Sequence, residues 1–345
     1  MKRIFTFLII GWHFTLSSCS KPASAGVTVF SETIVLQGEV QPLSDSLYLR
    51  YPFRVRLQAD TLYVLDIHTA DYYIHRFAYP SMQHLGSLAR YGGAPDEFLD
   101  AENIRIDTAG HLWTLDANKS KLVQFGKGGD DQIKRIDLDK RLVRTLDFDR
   151  LNDSVFIVPD YTGEHRISLL DAKGDIIKQL FQIPTTSSAD QAAPVVLAQA
   201  WRSFVSYHAD HGILAMATQL GQVLEIYDLQ KEKVVQIVGK DAGAPQFKNN
   251  GGYAVPTGIM GYSDVYVGKE YIYALFWGNS FDEIKQQGSA HQEGGQFIQV
   301  FDLQGNPVRQ YQLDRLITGF HIDEVEGMLI GLDVNSNQPI IQYRF

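Results

Sequence analysis

Four long segments of the sequence show no strand pattern and carry aromatic, amide and charged side chains, at about 90–101, 185–200, 240–257 and 277–295. An aromatic ring beside an amide and a guanidinium group suits stacking on a sugar or binding of a carboxylate. Alternatively, the aromatic residues pack inside the fold and the arginines pair with nearby carboxylates or loop carbonyls. The candidate ligand-binding residues in and beside these segments are Arg90, Tyr91, Glu97, Asn103, Trp201, Arg202, Tyr253, Trp277 and Asn279.

Motifs for catalysis and for metal binding are sparse. The sequence contains neither a Gly-Xaa-Ser-Xaa-Gly elbow nor a P-loop, so no catalytic residue is predicted. His208 and His211 are three residues apart, but no partner with metal-ligand spacing accompanies them, and no metal site is predicted there. Glu102 and Asn103 enter a strand where they would face a calcium ion under an alternative function, although no matching set recurs elsewhere. We therefore expect no cofactor, with calcium as the alternative.

A recurring aspartate has a simpler explanation than a metal site. Asp66, Asp116, Asp160 and Asp333 each follow a short apolar strand. Aspartate side chains at such positions commonly accept hydrogen bonds from loop amides and so fix the turn. We predict that these carboxylates stabilise turns and do not form a cluster.

The first 26 residues differ from the rest of the chain. A basic start, Met1-Lys2-Arg3, precedes an apolar run that is shorter than the about 20 residues a membrane span requires. The run ends in Leu16-Ser17-Ser18-Cys19, which resembles a bacterial lipobox, and Cys19 is the only cysteine in the chain, so it has no internal disulfide partner. These features predict a lipoprotein signal peptide at 1–18, a lipidated Cys19 with a flexible tether at 19–26, and membrane attachment. An ordinary leader with an incidental cysteine is the alternative.

Composition excludes some classes of partner and of fold. The chain has 345 residues, of which 45% are hydrophobic, so a large core is available and disorder is not expected. Its formal net charge is −9 and it contains no Lys/Arg cluster, which argues against nucleic acid as a partner. The tether has no acidic residue, which favours the periplasmic face of the outer membrane over the cell surface.

Repeats define the fold from residue 27 to residue 345. A tight turn followed by an apolar strand occurs six times at intervals of roughly 45 to 55 residues, the period of a four-stranded propeller blade. Asp107-Thr108-Ala109-Gly110 is the clearest of these turns, because Asp can bond the backbone there and Gly can adopt a positive φ. The pattern predicts an all-β, six-bladed β-propeller of four-stranded antiparallel blades. A β-sandwich lacks such a repeat, and no linker divides the chain into two β-domains.

The ends of the chain suggest how the ring closes. The sixth blade has three C-terminal strands, and an unassigned strand lies near Val27 to Leu36. We predict that this N-terminal strand completes the last blade, which removes an open edge. All long connections follow the second or fourth strand of a blade, so they share one face, and rigid scaffolds carry function on their elaborated loops. Any site is therefore expected on that face, around the channel mouth.

The residues of one blade resemble known families. Phe98, the strand Asn103-Ile104-Arg105-Ile106-Asp107 and Gly110-His111-Leu112-Trp113 are similar to the NHL-type propeller repeat. The loop Gly92-Gly93-Ala94-Pro95-Asp96-Glu97-Phe98 resembles that of the TolB-like six-bladed propeller lipoproteins of the Bacteroidota. The resemblance implies an exported, lipid-anchored propeller in a family whose members mostly lack an assigned activity.

These observations favour a binding module over an enzyme. We expect an outer-membrane lipoprotein, attached through Cys19, whose long-loop face binds a glycan, a peptide or an envelope protein. The alternative is a calcium-assisted lyase or hydrolase at the channel mouth. A structural subunit of an envelope complex is a third hypothesis.

Overall fold

The structure, a computed structural model, describes residues 23–43, 47–127, 131–184, 192–240 and 243–345. The predicted signal peptide 1–18, the lipidation site Cys19 and most of the tether lie outside the described residues. The described chain forms a six-bladed β-propeller of four-stranded antiparallel sheets, as the sequence predicts.

Three short strands precede the ring: β1 (Ala23–Thr28), β2 (Thr33–Leu36) and β3 (Glu39–Val40). The first three blades, each from the innermost strand outwards, are β4 (Pro52–Gln58), β5 (Thr61–Asp66), β6 (Tyr72–Ala78) and β7 (Gln83–Arg90); β8 (Ala101–Ile106), β9 (Leu112–Asp116), β10 (Lys121–Phe125) and β11 (Gln132–Asp137); and β12 (Asp149–Arg150), β13 (Phe156–Pro159), β14 (Ile167–Leu170) and β15 (Ile176–Leu180).

The last three blades follow in the same order: β16 (Ser203–His208), β17 (Ile213–Thr218), β18 (Val223–Asp228) and β19 (Lys233–Gly239); then β22 (Tyr262–Val267), β23 (Tyr271–Phe276), β24 (Gly295–Asp302) and β25 (Pro307–Ile317); then β26 (Phe320–Asp323), β27 (Met328–Leu332) and β28 (Ile340–Arg344). Elements outside the blades are helix α1 (Pro194–Ala200), the hairpin of β20 (Phe247–Asn250) and β21 (Tyr253–Pro256), and helix α2 (Phe281–Gln287) with a short 3-10 turn (Gly288–Ala290).

The N-terminal chain pairs differently from the prediction. The sequence predicts that the segment near Val27 to Leu36 completes the sixth blade. In the structure, β2 pairs in parallel with β25 of the fifth blade, and β1 pairs in parallel with β19 of the fourth. The fourth strand of the sixth blade is instead β3, which pairs with Ile341 and Gln342 of β28. The N-terminal segment thus lies along the outer edges of the fourth, fifth and sixth blades in turn, before the chain forms the first blade.

The alternation of side chains along each strand builds the core. In β5, Leu62 and Val64 pack against the sixth blade, whereas Tyr63 and Leu65 pack against the second. Successive residues of a strand point to opposite faces of its sheet, and in a propeller both faces of a blade are covered by neighbours. Each of the six seams between blades therefore holds its own cluster of buried apolar residues.

The connections divide into two kinds. Turns after the first strand of a blade are tight, as at Asp107, whose Oδ1 accepts from the amide of His111 at 2.8 Å while Gly110 adopts a φ of 84°. This confirms the predicted turn. Connections after the second and fourth strands include every long loop, with α1, α2 and the β20–β21 hairpin among them. We call this side the long-loop face and the other the plain face.

Candidate functional site

The recurring aspartates fasten the loops of the long-loop face. Asp66 accepts from the amides of Arg50 and Tyr51, and Asp116 accepts from the amide of Leu99 at 2.9 Å. Asp160 and Asp333 likewise bond residues of the loops that they begin. The predicted turn-stabilising role is confirmed. In blades 1 and 2, the aspartate at the end of the second strand binds backbone amides of the connection that precedes the first strand, and so holds that connection in place.

Across the middle of the ring, an arginine and two phenylalanines pack together. The guanidinium of Arg54 lies 3.8 Å from the ring centre of Phe53 and 4.8 Å from that of Phe204. Phe53 belongs to the first blade and Phe204 to the fourth, so the contact joins opposite sides of the ring. Arg54 is fully buried and donates to the carbonyl of Ser263 at 2.7 Å. We call these three residues the channel stack.

Asn103, a predicted ligand-binding residue, belongs to a buried network beside this stack. Its amide donates to Asp147, and its oxygen accepts from the amide of Ile104 at 2.7 Å and from Arg105 at 3.0 Å. The other oxygen of Asp147 accepts from the amide of Val205 in the fourth blade. Asn103 is only 1% exposed, so its role in this structure is to join the innermost strands of neighbouring blades.

Above this network, three blades bring polar residues together at the mouth of the channel. Glu102 enters β8 of the second blade, Arg144 precedes β12 of the third, and Arg202 precedes β16 of the fourth. The Glu102 carboxylate lies 3.6 Å from Arg202 and 3.8 Å from Arg144, which itself donates to Asp100 at 2.6 Å. We call Asp100, Glu102, Arg144, Arg202 and the nearby Tyr161 the mouth cluster.

Burial shapes the protonation of two members of the mouth cluster. Burial raises the pKa of Glu102, against the opposing effect of Arg202, because a carboxylate loses hydration when it is enclosed. Burial also raises the pKa of Tyr161 to about 12, with Arg202 again opposing. The Tyr161 hydroxyl is buried, and the backbone of Ser203 also opposes the rise in its pKa. Glu102 is therefore a largely enclosed carboxylate whose charged form is stabilised by neighbouring guanidinium groups.

Other predicted residues are spread over the long-loop face. Arg90 is exposed and lies 3.9 Å from Glu97, and the Glu97 carboxylate accepts from the amide of Ala94. Tyr91 is 47% exposed, with its ring 6.1 Å from that of Tyr73. The structure brings Arg90, Tyr91 and Glu97 together on one loop.

Trp201, Tyr253, Trp277 and Asn279 occupy separate places. Trp201 is 3% exposed and packs under α1, with the Arg166 guanidinium 5.7 Å from its ring. Tyr253 begins β21 and is 69% exposed, whereas Trp277 and Asn279 are partly buried before α2. Direct contact with a ligand is thus open to Tyr253 and closed to Trp201.

Sequence reasoning missed Arg144 and Tyr161, and it considered Glu102 only as a metal ligand. Both missed residues lie in connections that looked unremarkable by length. The available signal was position: Arg144 lies shortly before a first strand and Tyr161 directly after a second strand, as do the residues that were identified. These positions lie on the long-loop face, where the connections after second and fourth strands emerge.

The plain face carries two grooves of a different character. One, of about 300 Å³, lies between the turns of blades 2 to 4 and is lined by Asp107, Arg150 and His208. The other, of about 340 Å³, lies at the seam of blades 5 and 6 beside Tyr271 and Phe345. The rings of His208 and His211 are 4.6 Å apart, and no group of three metal-ligating side chains occurs in the described part of the chain.

Comparison with known proteins places the chain in a family. The family model described as TolB-like 6-blade propeller-like matches residues 29–325, and the chain belongs to this family. A comparison with curated proteins found no match. None of the described helices combines the length and apolar character needed to cross a bilayer. The NHL-type likeness stays a prediction.

Solved structures share the fold at low identity. A protein of Bacteroides fragilis described as exported is 11% identical with a TM-score of 0.58, over 93% of this chain and 97% of its own. A member of the DUF4221 family from Bacteroides vulgatus is 11% identical with a TM-score of 0.58, over 90% and 97%. A streptogramin B lyase is 14% identical with a TM-score of 0.52, over 89% and 97%. At such identities the likeness concerns the fold alone.

Proposed function

We propose that this TolB-like propeller is a cell-envelope binding module, anchored by lipid at Cys19, that holds a glycan, a peptide or an envelope protein on its long-loop face. One observation carries the proposal: exposed large apolar side chains concentrate on that face, whereas the plain face contributes Val325 and the C-terminal Phe345. Those on the long-loop face are Tyr48, Tyr72, Tyr91, Leu99, Val143, Val195, Tyr253 and Val255.

Such a distribution is informative because burial of apolar surface is a dominant favourable contribution to most protein association. Single exposed apolar residues are ordinary, but a face that collects them marks an interaction surface. Several also neighbour the mouth cluster in sequence, since Leu99 precedes Asp100 and Val143 precedes Arg144. Apolar side chains thus lie next to a few charged groups, a combination common in sites for small ligands.

The metal-assisted alternative has less support from the geometry. The oxygen of Asn103 accepts from Arg105, and the Glu102 carboxylate lies between Arg144 and Arg202. A cation bound to these oxygens would face guanidinium groups at close range, which opposes it electrostatically. Metal analysis of the purified protein tests the alternative, and stoichiometric calcium that disappears in Asn103→Ala would revive it.

The anchor is tested by Cys19→Ser. Because a lipidated cysteine is the proposed attachment to the outer membrane, with its periplasmic face favoured, the variant should move from the membrane fraction to the soluble fraction. Fractionation followed by immunoblotting measures this. A variant that remains in the membrane fraction would contradict lipid attachment at this cysteine.

The binding face is tested with two matched triple variants. Replacement of Tyr91, Leu99 and Tyr253 by Ser removes apolar surface from the long-loop face, and the same change at Leu85, Ile133 and Ile177 removes it from outer strands that are similarly exposed. The wild-type protein and the outer-strand variant, each immobilised, should capture envelope polysaccharide or protein fractions. The immobilised loop variant should not capture them. Equal capture by both variants would exclude this face as the binding surface.

A further inference from the structure

We infer that the mouth cluster binds a neutral saccharide through a pair of adjacent hydroxyl groups. The inference rests on the proposed function and gives the chemical class of ligand for one part of the long-loop face. It starts from hydrogen-bonding groups that lack partners. Buried or half-buried polar groups are normally satisfied, so a set of unsatisfied ones in one place indicates a missing partner.

Glu102 and Arg202 form an open pair. Their closest approach is 3.6 Å, beyond hydrogen-bond distance, and neither side chain makes a hydrogen bond to another described residue. Both are substantially enclosed, with side chains 12% and 28% exposed. Arg202 therefore keeps its donors and Glu102 keeps its acceptors for another molecule.

Two buried hydroxyl groups lie nearby. The hydroxyl of Thr145, which is 3% exposed and adjoins Arg144 in the chain, has no hydrogen-bond partner among the described residues. The hydroxyl of Tyr161, which is 5% exposed, lies within the electrostatic influence of Arg202. Both arginines of the mouth cluster therefore have a buried hydroxyl group in their neighbourhood.

The balance of charge selects among ligands. The cluster holds two arginines and two carboxylates, and Arg144 is already paired with Asp100 at 2.6 Å. An anion at Arg202 would meet the carboxylate of Glu102, and a cation at Glu102 would meet Arg202 and Arg144. A hydroxyl group both donates and accepts, so two adjacent hydroxyls of a sugar can bond Glu102 and Arg202 together without opposing either charge.

The channel stack limits how such a ligand enters. Because Phe53, Arg54 and Phe204 meet across the ring, the stack favours a ligand that ends at the mouth, such as a terminal or branch sugar of a longer glycan. The exposed Leu99 and Val143 directly precede Asp100 and Arg144 in the same loops. They would contact the remainder of the glycan. The saccharide site is thus the polar centre of the apolar face.

The test uses neutral hexose oligosaccharides as the probe, with uronic-acid oligosaccharides and short peptides as comparators. The mature protein with Cys19→Ser is screened on an array, and hits are measured by calorimetry. Arg202→Lys, which removes the planar donor fork, and Glu102→Gln, which removes the charge, should each weaken neutral-saccharide binding more than tenfold. Arg135→Lys, in the outer strand β11, and Glu232→Gln, in the plain-face turn between β18 and β19, make the same changes away from the mouth cluster and should leave binding unchanged.

The outcomes separate the two proposals. Preference for acidic saccharides, or neutral-saccharide binding unaffected by Arg202→Lys and Glu102→Gln, would overturn the inference. If envelope fractions bind through Tyr91, Leu99 and Tyr253 while no neutral saccharide binds, the inference fails and the proposed function stands. If the loop variant also captures envelope fractions as wild type does, the proposed function fails with it.

Discussion

Two arginine–glutamate pairs link the fourth blade to another blade, and they differ in distance, burial and hydrogen bonding. Arg166 and Glu225 link blades 3 and 4, and Glu102 and Arg202 link blades 2 and 4. Arg166 donates through Nε to Glu225 at 3.0 Å and through its other nitrogens to the carbonyl of Trp201 and the hydroxyl of Ser203. The second oxygen of Glu225 accepts from Tyr227 at 2.7 Å. Both charged side chains are at most 1% exposed. This pair is closed and fully bonded.

The pair of Arg202 and Glu102 is its opposite. Its closest distance between nitrogen and oxygen is 3.6 Å, and both side chains are partly exposed. Neither side chain forms a hydrogen bond with another described residue. The same two residue types thus fix the packing of blades 3 and 4 in one place and leave binding groups available in the other. Type and charge do not distinguish a structural pair from a binding pair; the number of hydrogen bonds and the depth of burial do.

The largest difference should appear in stability. Glu225→Gln leaves the Arg166 cation buried without a counter-charge, which typically destabilises by about 3–5 kcal/mol. Glu102→Gln should change the free energy of unfolding by less than about 1 kcal/mol, because Arg202 is 28% exposed and stays hydrated when the carboxylate charge is removed. Chemical denaturation of the two variants measures this. Similar losses in both would erase the comparison between closed and open pairs.

A smaller effect should appear with acid. Burial lowers the pKa of His321 to about 4 from its ordinary value of 6.5, and Arg56 adds to this effect. The unfolded chain therefore takes up a proton near pH 6.5 that the folded protein accepts only near pH 4, so stability is full above pH 6.5 and falls towards pH 4. The loss from this residue approaches about 3 kcal/mol.

Denaturation from pH 7.5 to 4.5 measures the slope. His321→Gln should flatten it, since the variant has no proton to take up at this position. His291→Gln, on the loop that follows α2, should leave it as in wild type. An unchanged slope in His321→Gln would show that His321 is not a source of the acid sensitivity, which would then point to other buried groups such as His75, whose pKa burial also lowers to about 4.

The smallest effect on stability belongs to the long-loop face itself. Tyr253 is 69% exposed, so Tyr253→Ser should change the free energy of unfolding by no more than about 0.5 kcal/mol. Thermal unfolding checks this, with Trp201→Ala as the contrasting variant, because Trp201 is buried and its loss leaves a cavity that typically costs about 3–5 kcal/mol. Comparable destabilisation by Tyr253→Ser and Trp201→Ala would mean that the Tyr253 side chain contributes to packing and is not free to bind a partner.

Much of the fold could be predicted because its causes are local. The turn at Asp107–Gly110 needs a short polar side chain and a residue that tolerates positive φ. Both residues occur within the four-residue sequence of the turn. Strand β5 shows an uninterrupted apolar stretch because its alternate residues fill two different seams. Repetition of these signals fixed the number of blades. The division into a long-loop face and a plain face followed from strand order.

The path of the N-terminal chain could not be predicted in the same way. The pairing of Thr33–Leu36 with the fifth blade, and of Glu39–Val40 with the sixth, depends on which outer edge lies within reach once the ring is closed. An edge strand carries no sequence mark of its neighbour, because backbone hydrogen bonds are the same on every edge.

The sequence by itself determined that this chain is a six-bladed propeller with its elaborated loops on one side, because periodic patterning and turn chemistry act over a few residues. Only the tertiary structure decided which polar residues meet. Glu102, Arg144 and Arg202 come from three blades, and Trp201, adjacent to Arg202 in the chain, is buried instead. Proximity across blades depends on how the ring closes, and burial depends on what α1 covers.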